Sequence, residues 1–461
     1  MTRREPHAPC AWRDRDRPGC HAFREALERQ AGAYDHCARR QARAPGQAAM
    51  TDASMTAGPR HGMSFRYFVA LMAALMAANA LAIDSMLPAL PQMAEALGVA
   101  GANDRQWIIT AYLLGFGCAQ IVYGTLSDRF GRRPVLLFGL VVYVAASVAA
   151  AFAGSFEAMM VARVVQGIGA AATRVLVVSI VRDCYSGRDM ARVMSLAMIV
   201  FLAVPILAPS IGQAILLVAP WRWIFGVLTI FGALVMLWVV LSLRETQSPE
   251  DRKPIEVATV VAAFRTTLTT RLAVGYMLAM AFVLGGLFGF INSAQQVFVD
   301  VFRAPEWFTT IFALIAMFMA AASLLNARIV GRLGMRRVSH GALLVYIGLT
   351  GAHAVVAWWG YESLWSFAAF QAGAMFCFGL VAPNFGAMAM DPLGHVAGTA
   401  SSVQGFVTTI VGALLGFYIG QHFDGTVVPL TLGFALCGLV ALAIVLVAER
   451  GRLFRPAAGR L

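Results

Sequence analysis

Charge is what this chain has least of. Across 461 residues, Asp, Glu, Lys and Arg supply 13% and apolar residues 59%, whereas soluble domains carry roughly 25% charged and about 45–50% apolar residues. So little charge cannot clothe a soluble globule. Seven cysteines occur, but none form a C-x2-4-C pair, which excludes the common structural zinc spacings. Cys118, Cys377 and Cys437 fall in apolar runs as small hydrophobes, while Cys10, Cys20 and Cys37 are scattered with His7, His21 and His36 through a basic leader. No metal and no cofactor is expected. H-E-x-x-H, G-x-S-x-G and GKS/T elements are absent too, so an enzyme or membrane sensor is the remote reading and an ATP-driven pump lacks its nucleotide site.

What the chain does have is apolar length. Runs of about 20 residues, enough to cross a bilayer, recur twelve times, the first centred near Ala74 and the last near Leu439. Lipid leaves no water to satisfy backbone groups, so runs this long span as helices; barrel strands are shorter and alternate. The fold expected is an all-α membrane protein of twelve transmembrane helices in two six-helix bundles, residues 64–243 and 272–449. A charged connector, 244–271, joins them, with a surface helix over Ile255–Thr267. Residues 1–63 read as a disordered basic tail, or as untranslated if synthesis starts at Met50, Met55 or Met63. They lack the 7–15-residue apolar stretch of a cleavable signal. Residues 450–461 form a second tail.

Net charge is +12, but the arginines follow loops and tails, so nucleic acid is not the implied partner. They cluster after even-numbered runs, at Arg129, Arg132 and Arg133, at Arg182 and Arg188, and at Arg328, Arg332, Arg336 and Arg337. By the positive-inside bias that face, with both termini, is cytoplasmic. The partners expected are the lipid bilayer, protons and a small-molecule solute. Nothing in the sequence calls for more than a monomer.

Four stretches carry chemistry. The second loop reads Gly124-Thr-Leu-Ser-Asp128-Arg129-Phe-Gly131-Arg132-Arg133-Pro134, and aligning Gly131 with Gly334 sets Arg129 over Arg332 and Arg133 over Arg336, as internal duplication would. The first run ends in Asp84-Ser-Met-Leu-Pro88, and Asp84 is the one carboxylate well inside any run. An acid there costs several kcal/mol in hydrocarbon, so it marks a proton or ion pathway unless it caps the break at Pro88. The fourth run holds Arg163, Gln166, Gly167 and Arg174; Arg163 and Arg174, 11 residues apart, share one helix face. They line a cavity, pair with a partner, or, for Arg174, snorkel. The fifth run contains Pro205, Pro209 and Gly212, a pattern for a bent, closely packed helix. Asn79, Asn292, Gln295, Gln296 and Asn384 are amides within or at the ends of runs, serving either solute contact, with Gln166 and Arg174 as further candidates for that cavity, or interhelical bonding.

The second loop resembles the signature of the major facilitator superfamily, G-x-L-x-D-R-x-G-R-R-P, and Arg163-Val-Val-Gln166-Gly-Ile-Gly-Ala-Ala resembles its R-x-x-Q-G-x-G-A-A element. With Asp84–Pro91 and Pro383-Asn384…Ser401, the likeness points to the bicyclomycin-resistance (Bcr/CflA) branch of drug:proton antiporters. The resemblance implies proton coupling at Asp84 under the influence of Arg163. It implies a conformational latch at Gly124, Asp128, Arg129, Gly131, Arg132 and Arg133, and a gating role for the fifth helix. That helix keeps only Pro209 and Gly212 of the exporter pattern G-x-x-x-G-P-x-x-G-G; Val204, Ala208 and Gln213 depart from it. The function implied is export of small amphipathic or drug-like compounds from a bacterial inner membrane, with proton-coupled uptake of a metabolite as the alternative.

Overall fold

The structure, a computed structural model, describes residues 62–252 and 257–454. The expected basic leader, apart from its last two residues, lies outside the described residues, as do 253–256 of the connector and 455–461 of the closing tail. Among the described residues twelve helices are long and apolar enough to cross a membrane. They are α1 Phe65–Asp84, α2 Trp107–Phe130, α3 Arg132–Ala151, α4 Phe156–Cys184, α5 Gly187–Val218, α6 Arg222–Ser242, α7 Arg271–Gln296, α8 Phe308–Leu333, α9 Met335–Trp358, α10 Leu364–Met390, α11 Ala397–Gln421 and α12 Val428–Ala448. The connector helix is Val257–Thr269, shifted two residues from the expected Ile255–Thr267.

Local chemistry sets the ends. Gly131 and Gly334 stop α2 and α8 with φ of 99° and 84°, a left-handed backbone that side chains other than glycine resist, and the next helix begins one residue later. Both fourth helices of the halves start on a serine, Ser155 and Ser363, whose hydroxyl accepts the N–H three residues on at 3.1 Å. The prolines of α5 do not interrupt it; Pro205 and Pro209 lie inside one continuous helix.

Packing repeats with a shift of six helices. In the first half α4 lies against α1, α2 and α3, while α6 lies against α1 and α3, and α5 against α1. In the second half α10 lies against α7, α8 and α9, with α12 against α7 and α9, and α11 against α7. Each pair has its counterpart. The two seams joining the halves, α2 on α11 and α5 on α8, exchange under the same shift, which is what a two-fold axis along the membrane normal requires.

Close approach depends on glycine. A Cβ on Gly115 would meet the Val164 carbonyl, and one on Gly167 the Tyr112 carbonyl, so α2 and α4 touch backbone to backbone. Gly167→Leu is expected to cost at least about 3 kcal/mol, the upper end for overpacking. A midpoint of thermal unfolding in detergent matching the wild type would refute that contact.

Candidate functional site

Arg163 sits 0% exposed in the centre of the first half. Its Nε donates to the Ile108 carbonyl at 3.0 Å, one guanidinium nitrogen to Gln166 Oε1, and the other to the Ala82 carbonyl at 3.1 Å. The guanidinium lies over the Tyr112 ring, 4.5 Å from its centroid. Gln166 donates in turn to Ser147 Oγ at 2.7 Å, and the Tyr112 hydroxyl donates to Asn79 Oδ1 at 2.6 Å. One cation thus ties α1, α2, α3 and α4 together. Buried charge is tolerated only when every donor finds an acceptor, and carbonyls near helix ends supply two of them. Arg163→Met should lower stability by about 3 kcal/mol, because acceptors on α1, α2 and α4 lose a charged donor; thermal unfolding of the purified carrier measures it.

Asp84 closes α1 two residues beyond the carbonyl that Arg163 holds. It is 4% exposed, so it faces protein rather than acyl chains. Among the described residues its carboxylate has no ion pair and accepts no hydrogen bond. A helix cap would require one, so the capping role does not fit. The approach of α5 is here: a Cβ on Gly212 would meet the Ser85 carbonyl, with Pro88 at 3.1 Å. Pro209 and Gly212 are buried and Pro205 is half-buried. Thus Gly212 presses α5 against the end of α1 in its own half.

The arginine loop bonds inward. Arg132 reaches Asp183 at 2.8 Å, Asp128 at 2.6 Å and Ser127 at 2.8 Å. The Asp128 side chain remains 46% exposed, so that arm adds little. Glu245, at the start of the connector, accepts the N–H groups of Arg132 and Arg133 at 3.0 and 3.1 Å, capping α3. Arg133 donates to the Val240 carbonyl at 2.8 Å. Arg129 makes no hydrogen bond or ion pair among the described residues. Of the six loop residues, Gly124 meets the other half, where its Cβ would lie 2.7 Å from Ser402 Oγ. In the second half Arg336, aligned with Arg133, pairs instead with Glu449 at 2.7 Å.

At the opposite face the two halves are sealed by amides. Gln106 donates to Gln296 at 2.5 Å and to the Gly420 carbonyl at 3.0 Å. Gln296 donates to Asn103 Oδ1 at 2.6 Å, and Asn103 donates to the carbonyls of Gln421 and Phe423, both at 3.0 Å. Gln421 returns a bond to the Asn103 carbonyl at 2.8 Å, and Arg105 pairs with Asp300 at 2.8 Å. Sequence reasoning missed Asn103, Arg105, Gln106 and Gln421, and also Tyr112 and Ser147. Polar residues at run ends look like ordinary loop residues when their partners lie between 190 and 320 positions away.

The remaining amides separate. Asn384 donates to Asn326 on α8 at 2.7 Å, an interhelical bond within the second half. Gln166 and Asn79 belong to the Arg163 network. Arg174 is partly exposed, without a hydrogen bond or ion pair among the described residues. Asn292 is buried, and both of its side-chain polar atoms lack partners.

Comparison with known proteins accords with this architecture. The family model described as Major Facilitator Superfamily matches residues 70–417. The uncharacterized MFS-type transporter YdgK of Bacillus subtilis is 30% identical over 370 residues, 78% of this chain and 90% of that one. The bicyclomycin resistance protein homolog of Haemophilus influenzae is 28% identical over 364 residues, again 78% of this chain and 90% of that one. The crystal structure of a D-xylose-proton symporter superposes with a TM-score of 0.66 at 14% identity, covering 84% of this chain and 97% of that one.

Proposed function

Because the chain belongs to the Major Facilitator Superfamily, a family of transporters, we propose that it is a proton-coupled exporter of small amphipathic or drug-like compounds in a bacterial inner membrane. The arginine-rich face would meet the cytoplasm. One observation carries the coupling: the acid Asp84 lies inside the protein with no hydrogen bond or ion pair among the described residues, two residues from a carbonyl held by the buried cation Arg163. An unpaired interior carboxylate is free to take up and release a proton as the halves rock. Arg163 fixes the backbone beside it. Export, rather than uptake, rests on relatives named for resistance to bicyclomycin, to chloramphenicol and to several drugs. The likeness to a symporter concerns the fold alone.

The sealed amide face and the inward-bonded loop fit one end of an alternating cycle, the one closed at the amide face. On opening outward, the seal would part and the Asp128 loop would close onto the second half, with Gly124 already near Ser402. The Gly212 contact supports a gating role for α5, whose tilt would move the end of α1. The direct test is expression in an efflux-deficient bacterium, followed by accumulation of a compound panel with and without a protonophore. Lower accumulation that the protonophore abolishes is the expected result. Accumulation raised by the protein would favour uptake and overturn export.

A further inference from the structure

Two amides on α7 have no structural employment. Asn292 and Gln295 are 1% and 2% exposed, and all four of their side-chain polar atoms lack a hydrogen-bond partner. Buried amides without partners carry a desolvation cost with no return, so each such group needs an explanation. Their position supplies one. Asn292 lies one turn before Gln296 on the same helix face, and Gln296 bonds across to Gln106 and Asn103 of the first half. Hence Asn292 looks toward the first half just inside the seal. The same helix packs on the Leu87–Ala89 turn, which begins three residues after Asp84.

Resting on the transporter reading, we propose that Asn292 and Gln295 form the hydrogen-bonding wall of the solute site and select uncharged compounds that carry carbonyl together with hydroxyl or N–H groups. A primary amide offers both donors and an acceptor without charge, and two of them a turn apart match a solute presenting both kinds of group. The carboxylate near this face, Asp84, is assigned to the proton, so it does not hold a permanent cation. The neighbouring polar groups, Gln296, Gln106 and Asn103, are also amides. A pocket built to hydrogen-bond its ligand rejects analogues lacking those groups far more strongly than an apolar pocket rejects a change of size.

The test uses the full chain purified in detergent, with chloramphenicol (an uncharged amide with two hydroxyls) and ethidium (a permanent cation) as probes. Calorimetric titration should show chloramphenicol binding to the wild type and ethidium binding at least tenfold weaker. Asn292→Leu and Gln295→Met should each weaken chloramphenicol binding about tenfold, the worth of one or two lost hydrogen bonds. Because the amides are unpaired without solute, the same variants should keep or raise the thermal midpoint of the unliganded protein. A fall in that midpoint would assign the amides to helix packing and overturn the proposal, as would wild-type binding by both variants or a preference for ethidium. Titration needs no proton gradient. Intact binding with no gradient-driven transport in vesicles would therefore sink the exporter reading and leave this one standing.

Discussion

Asp84→Asn should abolish exchange of solute for protons while leaving a folded carrier. The carboxylate bonds to nothing in the described structure, so its amide replacement removes no contact and adds no charge. Thermal unfolding should stay within about 1 kcal/mol of the wild type, as for a substitution that breaks no named interaction. Active efflux should fall to the level of cells lacking the protein, and transport by inverted vesicles should lose its dependence on an imposed pH gradient. Solute counterflow without a gradient should survive, since it needs the rocking motion and not the proton. If Asp84→Asn vesicles pumped at the wild-type rate, the coupling group would lie elsewhere.

Locking the amide seal should be equally drastic. With native cysteines replaced, Gln106→Cys and Gln296→Cys place two thiols where the halves now share a hydrogen bond of 2.5 Å. A short, reducible bifunctional thiol reagent should join them, because it spans the length of the two lost amide groups. Transport should stop once they are joined and return on reduction. Each single variant should react without arrest. Undiminished transport by the joined protein would show that this face need not open, and the alternating cycle would have to be abandoned. Gentler lesions at the same place should shift the resting balance. Each amide bond contributes only about 1 kcal/mol, so Gln296→Ala should speed labelling of the face several-fold without preventing closure.

Much of this architecture was legible in the sequence because lipid permits so few solutions. Twelve apolar runs translate into twelve helices once backbone groups must be satisfied within each segment. The aligned pair Gly131 and Gly334 announced the repeat, since both adopt the same left-handed turn. Arg163 and Gln166 were recognisable from their spacing, and the structure places them in direct contact. Ser147 and Tyr112, which complete that network, carry no such mark; a serine or tyrosine in an apolar run is common. The seal was invisible for a different reason. Its bonds join Asn103 to Gln421 and Arg105 to Asp300, and pairing across halves follows from tertiary geometry, not from any local pattern. Asn384 and Gln296 show the limit of residue type as a guide. Both are amides in helices, yet one bonds to Asn326 inside its own half and the other bridges the halves.

Glu245 has a mechanical meaning beyond capping α3. Its carboxylate also accepts the N–H groups of Thr246 and Gln247, each at 3.0 Å, and the Gln247 side chain donates to the Asp128 carbonyl at 3.1 Å. The tether between the bundles is therefore riveted to its own side through residue 247. Residues 245–247 must move with the first bundle, so releasing them by Glu245→Ala should loosen the swing of one bundle against the other.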